Sequence, residues 1–158
     1  MQSESARMNT NAEARFRIQD PNSKPRVIKV IALDNASEAL VSRVAGRPWQ
    51  NAKFLSAAAF PDAARDFSGQ PRDLTDEVNT ADLVVMVAAA GGEAHAASVI
   101  GEACSARRVM TTALVVGANR NSEEAVSKTL SQLRPWSLML VVADPDDYID
   151  GMLSALRG

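Results

Sequence analysis

The chain has 158 residues, 46% of them hydrophobic and 23% charged, which fits one soluble globular unit with a single sizeable core. Seventeen basic against nineteen acidic residues leave a formal charge of -2, without the basic footprint of a nucleic-acid binder, so a nucleic-acid partner is not expected. With one cysteine (Cys104), one histidine (His95) and no apolar run long enough for a bilayer or a signal peptide, disulfide frameworks, multi-histidine metal sites, export and membrane insertion are not expected, and a cytoplasmic location is.

Residues 1–24 are polar, mixed in charge and without sustained periodicity, and the segment closes on Pro25; it reads as a flexible arm ahead of a single domain over residues 25–158. RVIKVIAL then gives a first strand, and the spacing Leu40, Val41, Val44 a helix whose N-terminus Asp34 or Asn35 can cap. Lys53–Ala58 reads as a second strand. Phe60–Arg72, with Pro61, Gly69 and Pro71, reads as loop with a short helical turn, and Asp73–Ala81 as a short helix.

ADLVVMVAAA, Ala81–Ala90, is too short for a membrane and too uniformly apolar for a sheet with one wet face, so it reads as a central parallel strand. Gly91 and Gly92 break it, and a helix follows that places His95 one turn in and Cys104 in the body. Val109–Val116, RNSEEAVSKTLSQL, SLMLVVA and Asp146–Leu156 continue as strand, helix, strand, helix. The rhythm predicts a three-layer, Rossmann-like, doubly wound α/β sheet of about five parallel strands in the order 3-2-1-4-5. Its core is expected to hold Val30, Ile31, Val84, Val85, Val87, Leu114, Val115, Leu140 and Val141.

In such a sheet ligands bind beyond the carboxyl ends of the strands. The turn Ala90–His95 is a candidate phosphate cradle, since paired glycines let backbone amides approach an anion; equally it is a plain strand-to-helix turn in which Glu93 favours the helix dipole. His95, at the rim, has the chemistry of a phosphate donor or a general acid–base, but no nucleophile motif accompanies it. Cys104 reads as a small core residue. Asp144, Asp146, Asp147 and Asp150 invite a divalent-cation reading and also fit an N-cap with acids in the first turn. Trp49 and Trp136, beside prolines, read as packing lids or a binding surface.

Over about Val27–Tyr148 the chain resembles the nucleotide-binding domain of the tubulin/FtsZ superfamily. VIKVIALDNASEALVSRV is similar to the family's opening strand, first phosphate loop and helix, KFLSAAAFPDA to the second strand and its loop, and ADLVVMVAAAGGEAHAASVIGEAC to the apolar strand, glycine signature and succeeding helix. VMTTALVVGA and SLMLVVADPDD follow as the next two strands. The family's first loop is glycine-rich where this chain has Leu33–Ser37, and in the signature loop only Gly91 and Gly92 match. The sequence also ends before the family's long central helix, acidic loop and second domain.

The resemblance therefore implies a family-like domain with degenerate nucleotide-binding loops, acting in protein interaction or regulation. GTPase activity is not expected, and neither a resident cofactor nor a metal; a nucleotide, if bound, is not expected to be hydrolysed. The candidate ligand contacts are Gly91 and Gly92, carried over from the family's signature, with Asn35, His95 and Asn119. A second likeness, to sugar-phosphate isomerase (SIS) domains, keeps open a phosphorylated small ligand held at the Gly91–Gly92 turn. The last helix carries Tyr148, Ile149, Met152, Leu153 and Leu156, a wider apolar stripe than one-sided packing needs, so a homodimer or another protein is the expected partner there, with Met152 and Leu156 buried between chains.

Overall fold

The computed structural model describes residues 26–143 and 148–156; the arm predicted for residues 1–24 and the carboxylates Asp144, Asp146 and Asp147 lie outside the described residues. The elements run β1 (Ile28–Ala32), α1 (Asn35–Ala45), β2 (Ala52–Ser56), β3 (Ala64–Asp66), β4 (Pro71–Arg72), α2 (Leu74–Asn79) and β5 (Leu83–Ala89). There follow α3 (Ala97–Arg107), β6 (Met110–Val116), a 3-10 turn Ala118–Arg120, α4 (Glu123–Leu133), a 3-10 turn Arg134–Trp136, β7 (Met139–Ala143) and α5 (Tyr148–Ala155).

One sheet orders these strands β4-β3-β2-β1-β5-β6-β7, parallel from β2 to β7. The α/β class holds, but the predicted order 3-2-1-4-5 does not: the Leu83 strand lies between β1 and β6 rather than beyond the Lys53 strand. Its composition is the reason. Leu83 to Ala88 are all buried, so β5 needs helices over both faces and strands on both sides, which an edge cannot supply.

The edge beyond β2 is taken instead by β3 and β4, a short antiparallel pair within the stretch expected to be loop. Strands of three and two residues show no period-2 pattern to read. A polar hub holds them: the Asp66 carboxylate accepts from the Ser68 hydroxyl (2.6 Å), the amides of Ser68 and Gln70, and Arg72 Nε (3.1 Å). The Ser68 hydroxyl above all, with the Gln70 amide and Arg72, holds the Asp66 pKa down at about 2.

Helices cover both faces. On one, Val41 and Val44 of α1 and Ile149 and Leu153 of α5 pack on Ile28, Val30, Val85 and Leu114; on the other, Val78, Ile100, Cys104 and Leu133 from α2, α3 and α4 pack on Ile31, Val84, Met86 and Val115. Of the expected core, Leu140 and Val141 are only half-buried, because β7 is an edge strand. The two tryptophans pack differently: Trp49 Nε1 donates to the Val44 carbonyl near the end of α1 at 2.9 Å, and Trp136 lies against Gly101 in the middle of α3. Cys104 is buried, and burial pushes its thiol pKa up to about 11. Lys29 is also buried, in the middle of β1, where its ammonium meets Glu77 of α2 at 2.6 Å. Among the described residues no helix is long and apolar enough to cross a membrane.

Candidate functional site

The chain leaves β1 toward β2 on one side and returns through β5 toward β6 on the other, so the switch point lies between the carboxyl ends of β1 and β5. Three loops meet there: Leu33–Asp34 before α1, Ala90–Ala96 before α3, and Gly117–Ser122 before α4. Next to them opens a cleft of about 550 Å³, bounded by Ala36, Leu40 and Arg43 of α1, by Ala89 and Ala90, and by Gly117, Arg120 and Asn121.

Asp34 organises the switch point. As N-cap of α1 its Oδ1 accepts from the Ser37 amide at 2.7 Å, while the Ser37 hydroxyl closes a capping box on the Asp34 backbone. Its Oδ2 reaches across to β5 and accepts from the Ala89 amide at 2.9 Å. One carboxylate thus holds two amides, one in the first turn of α1 and one at the carboxyl end of β5; helix-N-terminal amides of this kind are donors to an anion in such folds.

The glycine turn is closed in a similar way. The Ala90 amide donates to the Val116 carbonyl (2.8 Å), Gly91 to Thr129 Oγ1 (2.9 Å), Gly92 to the Ala89 carbonyl (2.9 Å) and Ala94 to Gln132 Oε1 (3.0 Å). Gly91 adopts a positive φ of 84°, which favours glycine. Gly92 does not; there the requirement is space, because a Cβ would run into the Asp34 carboxylate.

The sequence-predicted contacts fall around this arrangement. Asn35 is exposed on the first residue of α1, and Asn119 is exposed within the 3-10 turn after β6. His95 lies in the turn ahead of α3 rather than one turn into it, and its Nε2 is 2.9 Å from Glu93 Oε2, whose other oxygen is 3.7 Å from Lys128 Nζ. None of Asn35, Gly91, Gly92, His95 and Asn119 lines the cleft, although Asn35 precedes Ala36, Gly91 follows Ala90, and Asn119 precedes Arg120.

Three contributors were not visible to motif reasoning. Arg43 shares a helix face with Ala36, Ala39 and Leu40, a spacing that, had it been read, marks the side of α1 turned to the cleft. Thr129 and Gln132, three apart on α4, receive the glycine-turn amides and carry no short-range signal. No group of three or more histidine, cysteine or carboxylate side chains able to hold a metal occurs among the described residues.

No family model matches the chain, and no curated protein does. Solved structures do. An empty FtsZ dimer from M. jannaschii superposes with a TM-score of 0.59 at 13% identity, over 92% of this chain and 54% of that one. Translation elongation factor SelB from Methanococcus maripaludis, in complex with the GTP analogue GppNHp, superposes with a TM-score of 0.52 at 7% identity, over 84% of this chain and 34% of that one. The chain thus spans about half the length of that FtsZ, and what it shares with it is the Rossmann-type α/β fold.

Proposed function

We propose that this chain is a non-catalytic, FtsZ-like domain that acts in protein interaction or regulation, with loops at the switch point that no longer suit a polyphosphate. The observation that carries this reading is the Asp34 carboxylate, held by the Ser37 and Ala89 amides and packed against Gly92. A phosphate charge brought within 4 Å of a fixed carboxylate meets repulsion of about 4 kcal/mol per unit charge at an effective dielectric near 20. The amides of Ala90, Gly91, Gly92 and Ala94 already have acceptors within the chain, so an incoming phosphate would have to displace them. On this reading the domain acts by associating with a protein, in the cytoplasm and through the C-terminal helix.

A second reading has its own support: Arg43 and Arg120 stand in the cleft beside Asn121, a cationic lining compatible with a phosphorylated small ligand, nucleotide or sugar phosphate, with the Gly91–Gly92 turn, Asn35, His95 and Asn119 at its rim. Thermal unfolding of the full chain across a panel of nucleotides and sugar phosphates separates the two. A specific ligand at 100 times its Kd stabilises by about 2.7 kcal/mol. The non-catalytic reading expects no member of the panel to do so; a saturable shift with one sugar phosphate, or with GTP, would replace it with the second.

A further inference from the structure

The two edges of the sheet are built differently. At one edge, β4 is two residues long and consists of Pro71 and Arg72, the short, charged, proline-bearing strand with which proteins discourage edge pairing. At the other, β7 is MLVVA: five residues, no charge, no proline. The large apolar side chains that the described residues leave exposed, Met110, Leu138, Met139, Val142 and Tyr148, all lie on or beside this second edge. Met139 and Val141 also form one wall of a groove of about 700 Å³ whose other wall is Tyr148 and Met152 of α5 with Leu156 just past its end.

Backbone direction fixes what the edge can accept. In the parallel part of the sheet, residues whose side chains face α1 and α5 turn their carbonyls toward β2: Val87 accepts from Leu33 N (2.9 Å) and Val116 from Ala90 N (2.8 Å). Carried to β7, this parity directs Met139, Val141 and Ala143 to β6 and leaves the N–H and C=O of Leu140 and Val142 facing outward. Leu138, ahead of the strand, turns its N–H back to the Thr111 carbonyl (3.0 Å), so the free edge begins at Leu140.

We propose that β7 pairs antiparallel with β7 of a second copy of this chain, about a two-fold axis at Val141, joining two sheets into one. In that register Leu140 of each copy faces Val142 of the other as hydrogen-bonded pairs, so all outward groups of both residues find partners. Val141 meets its own copy at the non-hydrogen-bonded position, where side chains approach most closely. The self-complementarity comes from the strand itself: a segment without charge places no like charges opposite one another. The groove beneath α5 then continues across the axis. This pairing rests on the protein-interaction reading; it makes the partner a second copy and moves the contact from the C-terminal helix to the β7 edge beside it.

Sedimentation of the full chain, with two variants, tests it. Val142→Pro removes an outward donor without touching the β6 ladder, and Val141→Cys places two thiols within disulfide reach across the axis. The wild type should sediment as a dimer, Val142→Pro as a monomer with unchanged circular dichroism, and Val141→Cys should give a covalent dimer on mild oxidation. A monomeric wild type, a folded Val142→Pro dimer, or a dimeric Val141→Cys that does not cross-link overturns the proposal. Should Val142→Pro not fold, the cross-link decides alone. A wild-type monomer that dimerises once residues 1–24 are removed would assign the edge to the chain's own leading segment, also against the proposal. None of these outcomes reads nucleotide binding, so the pairing can fail while the non-catalytic reading stands, and GTP turnover can refute that reading whatever the oligomeric state.

Discussion

Gly92→Ala probes the contact on which the switch point depends. A Cβ there would fall on Asp34 Oδ2, 2.9 Å from Asp34 Cγ and 3.0 Å from the Ala89 carbonyl oxygen. Gly92 has no positive φ, so backbone strain does not enter, and the carboxylate must move. Moving it loses the N-cap bond to Ser37, about 1 kcal/mol, and the charge-assisted bond from the Ala89 amide, about 1.5–3 kcal/mol. The stiffer unfolded chain returns about 0.4–1 kcal/mol. Gly92→Ala should therefore destabilise by about 2 kcal/mol. Asp34→Ala alone should cost about as much, because it removes the same two acceptors. In the Asp34→Ala background the glycine has little left to avoid except the Ala89 carbonyl, so Gly92→Ala should there cost about 0.5 kcal/mol or less, a coupling of about 1.5 kcal/mol. Urea unfolding followed by the fluorescence of Trp49 and Trp136 gives all four corners of the cycle, with m-values checking that the transition stays two-state. Costs that add to within about 0.5 kcal/mol would refute the reasoning and remove Asp34 as the reason for a glycine at 92.

Other contacts carry equally definite expectations. Glu77→Ala strands the buried Lys29 ammonium and should cost about 3–5 kcal/mol, whereas Lys29→Met with Glu77→Leu should recover most of it; a single variant that unfolds like the wild type in urea would contradict the pairing. Gly101→Ala would stabilise by about 1 kcal/mol from helix propensity alone, but its Cβ would lie 2.6 Å from Trp136 Cβ, so the measured sign should be destabilising. Burial raises the Cys104 pKa from 9.0 to about 11, so the folded state keeps the neutral thiol while the unfolded state ionises first. Its contribution to stability is complete below pH 9.0 and fades as pH rises toward about 11, and iodoacetamide should label Cys104 in urea but not in the native chain; fast native labelling at pH 8 would contradict this.

What the sequence disclosed depended on the range of the interactions involved. The apolar run of β5 and the Asp34 cap are local signals, and both were readable. The same run also held the correction to the strand order, since a strand read as central cannot sit at an edge. The β3–β4 pair was not readable, because it rests on Asp66 gathering donors from Ser68, Gln70 and Arg72 rather than on apolar alternation. At the switch point, Gly91 and Gly92 stood out as punctuation, but the reasons for them lie elsewhere in the chain: Asp34 is 58 residues from Gly92, and Thr129 is 38 from Gly91. The charge of Lys29 in the middle of β1 is likewise met only by a distant residue, Glu77, 48 positions on.

The central claim is that Asp34 and the engaged glycine-turn amides leave no place for a polyphosphate, and direct calorimetric titration of the full-length wild-type chain with GTP and GDP in magnesium tests it most closely. The account predicts no saturable heat and no phosphate release above the protein-free rate. Saturable GTP binding accompanied by turnover, both abolished in Gly92→Trp, would contradict it.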